Sequence, residues 1–315
     1  MIQQSCVVLA ASALLSACLS APGGVTVAPA DIPIDDTLVF PESVTSTKSG
    51  ALIVGSVKGN IYRARRGDPK ATAWIRPDSR NGLQSVYGVL AHESSTTLWA
   101  CSVPNSFAPP VANAVTELVA FDLNSGALKG RYAFPPPRSV CNDMTVGPNG
   151  AVYAADTQNG RILILDKGAQ SLRVYGEDAQ LKGVDGIAFS GDGKLYTNIV
   201  TRGVLQRIEL GPDGRMGHIT ELQASEKLGG PDGMRLIDGN RFLLAEGTAG
   251  RIDEVTIDGD RAMIRVLKSG LNSSPGVTLI GHTAWTMEGK IGYLIDPKLR
   301  GQDPGPFTLL PLPLH

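Results

Sequence analysis

The sequence predicts an all-β protein, a six-bladed β-propeller of four-stranded antiparallel blades around a central channel. Three observations carry that prediction. The first is a repeat. The segments PESVTSTKSGALIVGS, CNDMTVGPNGAVYAAD, VDGIAFSGDGKLYTNI, PDGMRLIDGNRFLLAE and SPGVTLIGHTAWTME stack as apolar stretch, Gly-bearing turn and second strand, and VYGVLAHESSTTLWACS fits more loosely. Their opening positions are Glu42, Tyr87, Asn142, Asp185, Asp232 and Pro275, at intervals of 45, 55, 43, 47 and 43 residues. Units of that period are single blades that bury their apolar faces against their neighbours. The second is composition: Gly 37 and Pro 21 punctuate turns, and no long stretch has helical period. The third is coverage, because six such units account for nearly all of the chain after about residue 37.

The chain opens outside the repeat. Val7 to Leu15 is an apolar run too short to span a bilayer but suited to a signal h-region. Leu15-Ser16-Ala17-Cys18 follows and resembles the lipobox of bacterial lipoproteins, which implies acylation at Cys18. Met1 to Ser5 lacks the basic residues usual before an h-region, so a buried N-terminal helix is the alternative. The expectation is a signal peptide over 1–17, a Pro/Gly/Ala/Ser-rich tether over 18–36 and the propeller over 37–315. The product would be exported, as a periplasm-facing lipoprotein or as a secreted protein, touching membrane only through its lipid.

Each unit then supplies strands in order. Asn149-Gly150, Asp192-Gly193 and Asp238-Gly239 read as two-residue hairpin connections between first and second strands. Third strands follow at 160–164, 204–208 and 251–255. The tail from Phe307 to Pro311 is expected to form the outer strand of the last blade, where proline is tolerated. In an oxidising compartment, Cys101 and Cys141 are left as either a disulfide between adjacent units or two buried thiols. Trp99 and Trp285 occupy equivalent places and read as core. Thirty acidic against 29 basic side chains leave no field for nucleic acid or another polyanion.

The opening positions carry the chemistry. Glu42, Asn142 and Asp185 each stand 8 residues before a turn Gly, at 50, 150 and 193, and Asp232 stands 7 before Gly239. That register argues against Asp185-Gly186 and Asp232-Gly233 being mere turn dipeptides. It places four oxygen side chains at one mouth of the channel. Carboxylate and amide oxygens suit one divalent cation, with Ca2+ favoured and Mg2+, Mn2+ or Zn2+ as alternatives. The four histidines are scattered, and no His/Cys cluster offers tetrahedral zinc ligands. The second strands end in Ser56, Ser102, Asp156, Asn198, Glu246 and Glu288. These are either ordinary polar strand ends or a second ring that touches substrate, with Asp156, Asn198 and Glu246 as its candidates beside Asn142.

Pro41-Glu42, Asn142-Asp143, Asp185-Gly186 and Pro231-Asp232-Gly233-Met234 resemble the SMP-30/gluconolactonase/luciferin-regenerating-enzyme family of six-bladed propellers, as does the closing Pro275-Gly276-Val277-Thr278-Leu279. The resemblance covers roughly residues 38–313. It implies Glu42, Asn142, Asp185 and Asp232 as ligands of one divalent metal, Asp232 also as general base, and hydrolysis of a small lactone or ester. Asp185 stands where that family usually has Asn, which adds a negative charge. Ser43-Val44 and Val140 also depart from the family pattern, so its sugar-lactone recognition does not carry over. No Gly-x-Ser-x-Gly elbow supports a serine hydrolase. A non-catalytic propeller that keeps the ion and binds a ligand or protein is the other reading, since fold does not dictate function.

Overall fold

The computed structural model describes Met1 and residues 29–105, 107, 112–211 and 214–314. The rest of the expected signal peptide, and the candidate lipidation site Cys18, lie outside the described residues. Six antiparallel sheets form the six blades. Their first strands are Pro41–Ser46, Ser85–His92, Cys141–Val146, Val184–Phe189, Pro231–Asp238 and Val277–Ile280. Each first strand packs on the first strand of the next blade, and the sixth packs on the first. That closed ring is the wall of the central channel.

Six apolar clusters lie between the blades, one at each interface. In blade 1, Leu52 and Val54 face blade 6 while Ile53 faces blade 2. Strand alternation therefore feeds both neighbours, and all five residues of Leu52–Ser56 are buried. Trp285 is in the interface between blades 6 and 1, and Trp99 packs against that between blades 2 and 3.

Four details differ from the sequence reading. The tail strand Thr308–Pro313 is the third strand of blade 6, and the outermost strand is Ile32–Pro33 from the N-terminal side. Ile34 is buried, and Asp36 bonds Lys58 and Tyr62. The propeller thus begins inside the expected tether, because the ring closes by pairing both ends of the chain in one sheet. Asn149-Gly150 and Asp192-Gly193 are not two-residue hairpins. Gly150 N–H donates to Gly147 O and Gly193 N–H to Ser190 O, with only the Gly at positive φ, 76° and 80°. This is a type I turn closed by a left-handed Gly. Blade 5 also gains a fifth strand, Gln223–Ala224, parallel to Arg261–Lys268.

Cys101 and Cys141 form a disulfide with Cα atoms 5.3 Å apart, joining the second strand of blade 2 to the start of blade 3. That separation lies within the ordinary range.

Candidate functional site

Five of the six opening positions are β-bulges; Pro275 precedes its strand, Val277–Ile280, which pairs regularly. In blade 3, Cys141 pairs with Asp156 and Met144 with Ala154, so Asn142 and Asp143 together face only Ala155. The same two-for-one break occurs at Asp185-Gly186, at Asp232-Gly233 and at Tyr87-Gly88. In blade 1 Glu42 is the extra residue between Pro41 and Ser43. A bulge releases a residue from the ladder and re-aims its side chain. Here it turns four oxygen side chains from four blades toward one another at one end of the channel.

The second residue of the bulge sets how closely blades approach. A Cβ on Gly186 would stand 2.2 Å from Asp232 O and 2.5 Å from Asn198 Nδ2. Only glycine allows that contact. Asn198 completes it: its Nδ2 donates to Asp232 O at 2.6 Å, and its Oδ1 accepts from Gly186 N–H at 3.2 Å. Asp185-Gly186 and Asp232-Gly233 are therefore strand residues at an inter-blade seam.

At the mouth, Asn142 Nδ2 donates to Asp185 Oδ2 at 2.6 Å. Asp232 lies close enough to Asp185 to feel its charge. Asp185 is buried, whereas Glu42, Asn142 and Asp232 keep partial exposure to the mouth. Burial pushes the Glu42 carboxyl up to about 8. Burial first, then the charges of Asp143 and Glu42, raises Asp185 well above the carboxylate range. Asp232 is raised in the same way, by burial and then by Asp185, Glu42 and Asp143.

Three mutually repelling carboxylates beside an amide oxygen are a hard-cation donor set, and a divalent ion would relieve their repulsion. Among the described residues, no group of three or more His, Cys, Asp and Glu side chains stands ready to hold a metal ion as placed. The donor chemistry fits the ion, and the side chains would have to draw in around it.

The other candidates are turned inward. Asp156, Asn198 and Glu246 are fully buried. Asp156 accepts from Arg161 Nε at 2.7 Å, Val140 N–H at 3.1 Å and Asn159 Nδ2 at 2.8 Å. Glu246 accepts from Arg251 Nε at 2.5 Å and from Gly229 N–H. These side chains brace the loops around the mouth, and the structure does not bring Asp156 or Glu246 into the cluster. Each acid stands five residues before its arginine, in Asp156-Thr-Gln-Asn-Gly-Arg161 and Glu246-Gly-Thr-Ala-Gly-Arg251. That spacing was a sequence signal for the brace.

Sequence reasoning missed Asp143 and Arg235. Arg235 Nη1 donates to Asp143 Oδ2 at 2.6 Å and Nη2 to Asp143 Oδ1 at 3.0 Å, a buried two-pronged pair across the channel.

No protein-family model and no curated protein sequence matches this chain. Solved structures do. A gluconolactonase from Xanthomonas campestris superposes with a TM-score of 0.62 at 16% identity, over 92% of this chain and 99% of that one. A luciferin-regenerating enzyme gives 0.64 at 12% identity, over 89% and 95%. Virginiamycin B lyase from Staphylococcus aureus gives 0.57 at 19% identity, over 82% and 80%. The structural neighbours thus include the enzymes that the sequence motifs resemble, at identities where the likeness is one of fold. They also include a lyase, so the fold leaves the reaction to the residues at the mouth.

Proposed function

We propose that this chain hydrolyses lactones or related small esters at the channel mouth, with one divalent cation held by Glu42, Asn142, Asp185 and Asp232. The observation that supports this reading most directly is the convergence of three carboxylates and an amide from four bulges, with the amide of Asn142 already bonded to Asp185. The gluconolactonase and luciferin-regenerating-enzyme neighbours support the substrate class. Ca2+ is the preferred ion, because an all-oxygen set from four separate strands suits its adaptable coordination. When bound, such an ion polarises the substrate carbonyl and stabilises the oxyanion.

The chain's own residues do the rest. Asn142 has its amide nitrogen committed to Asp185 and offers its oxygen to the ion or to the substrate. Asp232, partly open to solvent, accepts the proton of the attacking water as that oxygen bonds to the carbonyl carbon. It returns the proton to the departing ring or ester oxygen as the C–O bond breaks. Glu42 and Asp185 remain unprotonated ligands through both steps. The chain is proposed to work after export, anchored through Cys18 or secreted, and the blade 2–blade 3 disulfide is consistent with an oxidising compartment.

Asp232→Asn tests the assignment. It keeps the shape and an oxygen donor but removes the base. Turnover of a lactone panel should fall by at least about a hundredfold, in line with loss of a general base, with the circular dichroism spectrum unchanged. A variant that hydrolyses at the parent rate removes Asp232 from the chemistry.

A further inference from the structure

One blade breaks the pattern behind the bulges. The residue after the opening position is Ser43, Gly88, Gly186, Gly233 or Gly276 in five blades, and in blade 3 it is Asp143. Small residues fit there because neighbouring strands nearly touch: a Cβ on Gly88 would stand 2.4 Å from Asn142 O. Asp143 is only 3% exposed, so its charge is held inside the channel wall. A second exception faces it. Three residues after the opening, the blades carry Thr45, Leu90, Thr145, Ala188 and Thr278, and blade 5 carries Arg235.

The two exceptions meet. Beyond its two bonds to Asp143, Arg235 donates from Nη1 to Met234 O at 2.8 Å and from Nη2 to Val89 O at 3.2 Å. The guanidinium therefore ties blade 5 to blades 3 and 2 across the channel. Arg235 also lines a cavity of about 690 Å3 together with Leu90, Met144, Phe189 and Leu236. Asp143 is next in the chain to Asn142, and its charge is felt by both Asp185 and Asp232. A free carboxylate there would be an additional oxygen donor beside the mouth. Both of its oxygens are instead taken by a planar fork that lysine cannot reproduce.

We propose that Arg235 is a positioning residue that keeps Asp143 out of the cation's ligand set, and so leaves one coordination position of the mouth open to substrate. This rests on the cation site proposed above. Arg235 thereby sets the net charge of the mouth.

The test is Ca2+ titration calorimetry on the parent, Arg235→Met, and the double variant Asp143→Leu/Arg235→Met, with lactone turnover alongside. Arg235→Met frees Asp143, so its Ca2+ affinity should rise by at least about tenfold, since ligand charge tunes such sites, while turnover falls. The double variant leaves no unpaired charge, a replacement that buried pairs commonly tolerate. Its Ca2+ affinity should return to within about threefold of the parent. Unchanged or weakened binding by a folded Arg235→Met makes Arg235 a structural brace and overturns the proposal. Tenfold weaker binding by the double variant makes Asp143 a ligand and overturns it equally. If Arg235→Met does not fold, the double variant decides alone. Absence of Ca2+ binding by the parent overturns the cation reading and this one with it. Parent binding with no gain in Arg235→Met overturns only the role of Arg235.

Discussion

Gly186 lies where the inner strands of blades 4 and 5 come closest, and its missing side chain lets Asp232 take its place at the mouth. Alanine there would press its Cβ on Asp232 O at 2.2 Å, a backbone atom that cannot yield cheaply. Overpacking of this kind costs roughly 1–3 kcal/mol. Gly186→Ala should therefore lower the melting temperature and weaken cation binding together. Gly67→Ala is a control for backbone strain alone, because it meets nothing within 4 Å although its φ is 88°. A Gly186→Ala protein with parental stability and parental cation affinity would show that the seam does not set the mouth. Asp185 and Asp232 could be singled out in the sequence because each stands seven or eight residues before a turn glycine. Asp143 and Arg235 could not, because 92 residues separate them and only the folded ring makes them opposite. Asp156 and Glu246 looked like site residues for the opposite reason. Polar strand ends near a mouth look the same whether they face the channel or, as here, an arginine behind it.

At the scale of the element, the unit of design is the bulged opening that five of the six first strands carry. Blade 3 is the one held by the disulfide. Cys141 precedes Asn142 directly and is tied to Cys101, so the disulfide holds the opening of blade 3 against blade 2. The bridge closes a 40-residue separation, and in the chain-entropy model a loop of that size is worth about 4 kcal/mol. Reduction, or Cys101→Ser with Cys141→Ser, should lower denaturant stability by an amount of that order. It should also loosen the cation through Asn142. If stability falls while cation affinity holds, the bridge serves the fold alone. The strands themselves were legible from period-2 alternation and the repeated turn glycines. The turn type was not, because an Asn-Gly or Asp-Gly pair serves both a two-residue loop and the end of a type I turn. Ile32–Pro33 was invisible for a plainer reason. Two residues in a Pro-rich stretch have no period, and only pairing with Leu309 and Thr308 makes them a strand.

For the whole molecule, closure and charge are the two constraints. The ring has no free end because Ile32–Pro33 completes blade 6, and Ile34 N–H donates to Phe307 O at 2.9 Å. Removing the chain through Asp36 should expose Phe40 and Phe307, which now meet edge to face at 5.3 Å, and lower the melting temperature markedly. A truncated protein with parental stability would show that closure does not depend on this strand. Charge acts in the other direction. Glu42 has its carboxyl raised from 4.5 to about 8 in the fold. A raised carboxyl contributes stability that is full below its unfolded value and lost as pH rises through its folded value. Without a cation, stability should therefore decline between about pH 4.5 and 8. Asp253, buried in blade 5 and raised to about 8 by burial and by Glu246, falls in the same window. The slope alone does not identify the mouth; its cation dependence does.

The deciding measurement is accordingly the melting temperature of EDTA-stripped protein across pH 4.5 to 8.5, with and without saturating Ca2+, for the parent and Asp232→Ala. The expected result is a parent curve that falls with rising pH when stripped and is lifted by Ca2+ most at the alkaline end, where the ligands are ionised. Asp232→Ala should lack most of that lift while keeping the part of the slope that belongs to Asp253. Superimposable parent curves with and without Ca2+ at pH 8 would contradict the cation site, and the proposed hydrolytic chemistry with it.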